Sequence, residues 1–219
     1  MDKREESIVK VKVKDIEIQT KHLVLREYTK ELVETYHKWM QDPWLRDMTA
    51  SELLSIEDEY KAQEEWLHDI NKQTFIIFDK LIQSETILKS INQNTAGMCG
   101  DVNLFIMDSD ASESYSLIES DIPVLAAEIM IMIAEPWARR KGYATEAVHA
   151  MMHFGIQVRG IRRFVAKIDD SNQASIGLFT QLGFRVAKKM PYFSEIHMAL
   201  DITADIETRL QSSVEQMKH

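Results

Sequence analysis

Residues 124–135, VLAAEIMIMIAE, are apolar at every position except Glu128 and Glu135. A run that long and that apolar does not alternate between core and water, so it predicts a strand near the centre of a sheet, covered on both faces. The chain then passes through AEPWARRKGYATEAV, residues 134–148, in which a proline, a tryptophan, three consecutive cations and a glycine precede a helix. A central strand feeding a helix through a cationic turn opens a βαβ crossover, which places the chain in the α/β class.

The flanking segments fill in the rest. HLVLREY (22–28) alternates as a first strand, and TKELVETYHKWMQD predicts an amphipathic helix capped by Thr29, with Leu32, Tyr36 and Met40 inward. Ser55, three residues before Asp58, predicts the N-cap of a second helix carrying Tyr60 and Trp66. TFIIFDK and GDVNLFIMD read as strands separated by a polar stretch from Ile82 to Thr95, and the acidic, serine-rich residues 107–121 read as a solvated surface hairpin loop. After the crossover, YATEAVHAMMHFGIQV is a helix, RFVAKI a strand, and SNQASIGLFTQLGF a capped helix ended by Gly183. RVAKKM and YFSEIHMAL close as an antiparallel pair around Pro191, and residues 203–219 form a surface helix. Residues 1–15 alternate charge with valine and fit either an extra strand or a loose arm. The expected architecture is a single α/β domain over residues 1–219, its mixed, mostly antiparallel sheet flanked by helices.

Charge and composition narrow the function classes. With 219 residues, 45% of them hydrophobic, there is material for one core. A net charge of −9 removes the overall electrostatic drive for nucleic-acid binding. No apolar run approaches the ~18 residues of a membrane span, and MDKREESIVKVKVKD lacks the apolar core of a signal peptide, so no membrane association and a cytoplasmic or nuclear setting are expected. The lone cysteine, Cys99, reads as a small core residue. His149 and His153 lie four apart without the glutamate of a His-Glu-x-x-His motif, and no metal is expected.

The chemistry concentrates at the cationic turn. A helix start leaves about four main-chain N–H groups without helical partners and carries the positive end of the helix dipole, so it is suited to an anion. If the helix starts near Gly142, then Lys141, Gly142, Tyr143, Ala144 and Thr145 present a run of amide donors, and Arg139, Arg140 and Lys141 add charge. A diphosphate fits these features; a plain strand-to-helix turn with solvated cations fits them too. Neither the nucleoside-triphosphate loop nor the dinucleotide glycine fingerprint occurs.

RRKGYA resembles the Arg/Gln-x-x-Gly-x-Gly/Ala signature of the GNAT N-acetyltransferases, and NQASIGLFTQLGF is similar to the asparagine helix of their ribosomal-protein branch. MTASE, EDEY, TFIIFD, GDVNLF, MIAEP and GYATEAV extend the resemblance, from about residue 22 to 200, to the N-acetyltransferase 9 group. The resemblance implies a GNAT-type fold, acetyl-CoA as cosubstrate, and a protein or peptide amine as acceptor, tubulin among them. It further implies that the main chain of Met132, Ile133 and Ala134 pairs with the pantetheine arm, that Arg140 to Thr145 cradle the pyrophosphate, and that the Asn172 side chain holds the pantetheine region.

Acetyl transfer needs a neutral amine, a polarised thioester carbonyl and a proton for the departing thiolate. Where many relatives have a proton-donating tyrosine, this chain has Phe179, and where some have a glutamate five residues before the asparagine it has Lys167. Glu128 and Ser175 remain as candidates: the first as a base or as a structural hydrogen-bonding group, the second as a positioning hydroxyl or an ordinary first-turn residue. These departures also admit a second reading, a CoA-binding or tubulin-associated protein of weak catalysis.

Overall fold

The computed structural model describes residues 16–88, 95–117 and 124–216. Its strands form one eight-stranded sheet in the order β1-β2-β3-β4-β5-β6-β8-β7. The first strands are β1 (Glu17–Gln19) and β2 (Leu23–Glu27). A 3-10 turn at Lys30–Leu32 then leads into α1 (Val33–Trp39). Thr29 makes no side-chain cap there, so the helix begins in the tight turn and its boundary falls later than the cap residue predicts.

A helix that the sequence reading passed over, α2 (Pro43–Thr49), follows at once. Asp42 caps it by accepting from the Trp44 N–H, and Pro43 occupies the first position, where its missing N–H costs nothing. Ser55 caps α3 (Ile56–His68) by accepting from the Asp58 N–H, as expected. These three helices cover one sheet face, where Tyr28, Tyr36, Trp39 and Met40 pack on Val24, Ile76, Phe78 and Met132.

Next come β3 (Lys72–Asp79), α4 (Lys80–Leu88), β4 (Met98–Ile106), α5 (Ser109–Glu113) and β5 (Ala126–Ile133). The polar stretch after Ile82 is helical through Leu88, started by Asp79, which accepts from the Leu81 and Ile82 N–H groups. The acidic stretch from 107 carries the short helix α5, and its Ser112 and Tyr115 are buried rather than solvated; residues 118–123 lie outside the described ones. Packing of Tyr115 on Val165 and Ala199 overrides the polar composition around it. Residues 1–15, the arm or extra strand of the sequence reading, also lie outside the described residues.

The apolar run is central, as expected: β5 pairs antiparallel with β4 and parallel with β6 (Arg163–Asp169). Strands β4 and β5 approach so closely at Gly100 that a Cβ there would stand 2.0 Å from the Met132 carbonyl oxygen. The crossover is α6 (Tyr143–Arg159), whose apolar side buries Ala147, Met151, Phe154 and Ile156 on the second sheet face. Met151, Phe154 and Ile156 each contribute roughly 1.5–3 kcal/mol on burial. Then come α7 (Gln173–Gln181), β7 (Arg185–Met190), β8 (Glu195–Asp201) and α8 (Ala204–Gln216). Strand β8 pairs antiparallel with both β6 and β7, so the last strand lies inside the sheet. Among the described residues the lone parallel pair is β5 with β6, and the α/β class with a mostly antiparallel sheet stands. Cys99 is buried, and desolvation, reinforced by nearby Asp79 and Glu135, pushes its thiol up to about 12.

Candidate functional site

The parallel pairing of β5 with β6 spans only Ala126–Glu128 opposite Arg163–Val165. From Ile129 onward the two strands splay, and the edge of β5 is left without a β6 partner. Which amides face the gap follows from the other edge. The Ala134 N–H donates to the Cys99 carbonyl, so in the antiparallel register with β4 the residues Met132 and Met130 also exchange hydrogen bonds with Asp101 and Asn103. Ile129, Ile131 and Ile133 therefore turn their main-chain groups towards the splayed side. Of the three residues expected to offer main chain to a ligand, Ile133 faces the gap. The Ala134 N–H and the main chain of Met132 are committed to β4, although Met132 still lines the cavity on this side.

At the top of the gap the chain makes its cationic turn. Arg140, at φ 62, and Gly142, at φ 82, both take the left-handed conformation, a backbone geometry that in general lets successive amides converge on an anion. For Arg140 that conformation is strained, and residues held so cluster at ligand sites. Gly142 caps α6 with no side chain, and a Cβ on it would meet nothing within 4 Å. The first amides of α6, from Tyr143, Ala144 and Thr145, thus have no side-chain cap and border open space. An anionic group fits there, and a larger side chain at position 142 would compete for the room.

The three cations divide their work. Arg139 Nε and Nη2 donate to the carbonyls of Ile133 and Ala134, and its guanidinium stacks 4.6 Å from the Trp44 ring, so it braces the turn. Arg140 is exposed and lines the cleft. Lys141 lies over Trp137 and Tyr143, at 5.1 and 5.6 Å from their ring centroids, away from the cleft wall. Tyr143 is buried with its hydroxyl donating to Asp79 Oδ2 at 2.6 Å, which anchors the start of α6 to β3. Glu146, in the next turn, accepts from Thr20 Oγ1 and the His22 N–H and pairs with His22 Nδ1 at 2.8 Å, tying α6 to the first hairpin.

Two cavities open on the splayed part of β5. The first, about 540 Å³, runs from Arg140, Gly142 and Thr145 along Ile131–Ile133 to Asn172 and Ser175, with Trp44 and Met48 of α2 as its outer wall. The second, about 380 Å³, lies beyond it, among Tyr36, Trp66, Lys72, Asp101, Asn103, Phe105 and Lys167. Met48, Thr49, Ile131, Met132, Asn172 and Ser175 border both, so the two meet at that waist. Asn172 caps α7 by accepting from the Ser175 N–H at 3.1 Å. Its Oδ1 being used, the Nδ2 amide is what Asn172 offers to a ligand. Phe179 is buried edge-on against Phe184, with no proton to give.

Glu128 lines neither cavity. Its carboxylate is held 2.6 Å from Lys167 Nζ, and that ion pair outweighs the burial opposing the Lys167 charge and moves the Lys167 pKa up. The acidic group that does face the second cavity is Asp101, 3% exposed. Asn103 Nδ2 and the Tyr36 hydroxyl both donate to its Oδ2, at 2.7 and 3.3 Å, and Thr74 Oγ1 donates to Asn103 Oδ1 behind them. Burial pushes the Asp101 carboxyl up to about 6, although Asn103, Lys72 and Tyr36 all favour its charged form. Sequence reasoning missed it; the signal was Asp101 and Asn103 on one face of an otherwise apolar strand.

A family model of the acetyltransferase (GNAT) domain matches residues 22–185. The N-acetyltransferase 9-like protein of Nematostella vectensis is 40% identical over 190 residues, spanning 84% of this chain and 88% of the relative. The alpha/beta-tubulin-N-acetyltransferase 9 of Homo sapiens is 36% identical over 200 residues, spanning 91% of this chain and 88% of its own. The fold is also that of spermidine N-acetyltransferase from Vibrio cholerae, solved with CoA and spermine, which superposes on 82% of this chain and 95% of its own with a TM-score of 0.61 at 14% identity. This chain belongs to the GNAT acetyltransferase family, similar to its N-acetyltransferase 9-like members.

Proposed function

We propose that this chain binds acetyl-CoA in the first cavity and acetylates a protein or peptide amine presented in the second, with tubulin the acceptor that the name of its human relative suggests. The observation that carries this reading is the waist where the two cavities meet, on the edge of β5 that β6 leaves unpaired. Bound acetyl-CoA supplies an acetyl group already activated as a thioester. The chain's own part is positional. Amides from Arg140 to Thr145 hold the diphosphate, the edge of Ile131 and Ile133 aligns the pantetheine amides as an added strand would, and Asn172 Nδ2 steadies the arm. The second cavity joins a buried acid, Asp101, to the aromatic walls of Tyr36, Trp66 and Phe105, which suits an amine on an extended peptide. Among the described residues no helix is long and apolar enough to cross a membrane.

Isothermal titration with acetyl-CoA, followed by mass spectrometry of peptides with free amino termini, tests the reading. Saturable binding and a 1:1 gain of acetyl on peptide are expected. Absence of binding at millimolar acetyl-CoA would refute it, and binding without transfer to any amine would leave a CoA-binding protein in its place.

A further inference from the structure

The second cavity holds one acid whose position no sequence motif marks, and resting on the acetyl-transfer reading its role can be stated. We propose that Asp101 receives the proton of the acceptor amine, with Asn103 and Tyr36 as the groups that position it.

Geometry separates Asp101 from its competitor. Glu128 is bound to Lys167 and lies outside both cavities. Asp101 is in the wall of the acceptor cavity, directly opposite Met132 in the β4–β5 register, and Met132 borders the cofactor cavity as well. The carboxylate therefore stands beside the waist where an amine approaching from the second cavity meets a thioester lying in the first. Both side-chain donors to Asp101 address Oδ2, which orients the carboxylate. The groups around it are Lys72 from β3, Tyr28 at the end of β2, Tyr36 from α1, and Lys167 with Glu128 across the cavity. Glu59 of α3, paired with His37 of α1 at 3.8 Å, lies behind the tyrosines. A carboxyl titrating near 6 is mostly ionised at neutral pH yet basic enough to take a proton, the compromise a general base needs.

The balance of the step is simple. The acceptor arrives as an ammonium; one N–H bond breaks and its proton passes to the Asp101 carboxylate. The freed lone pair forms the N–C bond to the acetyl carbonyl carbon while the C–S bond breaks and sulfur leaves as thiolate. The nitrogen loses its second proton to that thiolate or to water, and Asp101 returns its proton to solvent before the next turnover.

The experiment compares the wild type, Asp101→Asn and Asn103→Ala, using acetyl-CoA and a set of peptides with free amino termini that differ in the first residue. Three readouts are taken: acetyl-CoA affinity, the pH profile of kcat/KM, and the carboxyl carbon shift of Asp101 against pH in the protein alone. The wild-type carboxyl is expected to titrate near 6, and kcat/KM to fall below the same pH, apart from the acceptor α-amine's own limb near about 8. Asp101→Asn is expected to hold its acetyl-CoA affinity within about twofold while kcat drops on the order of 10²- to 10⁴-fold and the limb near 6 disappears. Asn103→Ala removes a donor to the charged form, so the carboxyl midpoint and the kinetic limb move up together. An Asp101→Asn enzyme within about threefold of wild type, limb intact, overturns the role of Asp101 alone. So does a midpoint that moves in Asn103→Ala while the limb stays. A wild type that binds acetyl-CoA and acetylates no peptide overturns the transfer reading and this role with it.

Discussion

Gly142 offers the sharpest test of where the diphosphate lies. Its φ of 82° is left-handed and its missing Cβ faces open space, so any substitution carries a backbone penalty and no steric one. The penalty is about 1 kcal/mol, which in a chain of this size lowers Tm by about 2–4 °C. Gly142→Gln and Gly142→Glu share that penalty and nearly the same volume, so their difference isolates a charge. A carboxylate about 5 Å from a diphosphate, at an effective dielectric constant of about 20, is opposed by about 3 kcal/mol per pair of charges. The Glu variant should therefore bind acetyl-CoA at least about 100-fold more weakly than the Gln variant, and the gap should narrow as salt is added. Calorimetric titration of both at low and high ionic strength measures it, with melting curves to show equal stability. Equal affinity of the two variants, within about twofold, would place the diphosphate elsewhere.

Two further predictions concern stability. Burial works against the Glu146 charge, but the hydrogen bonds from Thr20 and His22 outweigh it and hold its pKa below the usual value. Its contribution is therefore present above the unfolded-state carboxylate pKa and lost as pH falls through the lower folded one. Glu146→Ala, which strands the His22 N–H and leaves the Thr20 hydroxyl only the Leu23 carbonyl, should cost about 2–4 kcal/mol at pH 7 by urea unfolding, with the gap to wild type closing below about pH 4. Asp101 has the opposite sign: its folded pKa of about 6 lies above the unfolded value, so ionisation at neutral pH weakens the fold, by at most about 3 kcal/mol. Asp101→Asn should then melt at or above the wild-type temperature at pH 8, with the advantage shrinking as pH falls below about 6 and gone only below about pH 4. A lower Tm at pH 8 would count against the raised pKa.

The parts of this fold that could be read in sequence were those fixed by local chemistry. The run at 124–135 had to be a covered strand, Ser55 and Asn172 stand at helix starts where their side chains cap, and Gly142 lies where only glycine avoids strain. What could not be read was set by neighbours far along the chain. Helix α2 spans seven residues, too few to show a period, yet Trp44 and Met48 wall the first cavity. Asp101 looked like the polar half of an alternating strand until α1 laid Tyr36 over it. Glu128 looked like an isolated acid because its partner, Lys167, comes from the strand across the crossover. Tyr115 was read with its acidic neighbours, whereas its hydroxyl lies 2.8 Å from His197 Nδ1 in the last strand.

The position of β8 has a bearing on how the chain is made. A ribosome delivers β6 and β7 before β8, yet among the described residues β7 pairs with β8 alone, and β6 meets β7 only through it. Until Glu195–Asp201 have emerged, β6 keeps one bare edge and β7 has no neighbour, the condition in which strands recruit other chains. Helix α6 meanwhile waits for α8, which is later still. The nascent protein thus stays open at one edge until β8 has emerged, and a nonsense change before residue 195 should yield an aggregating fragment rather than a smaller enzyme.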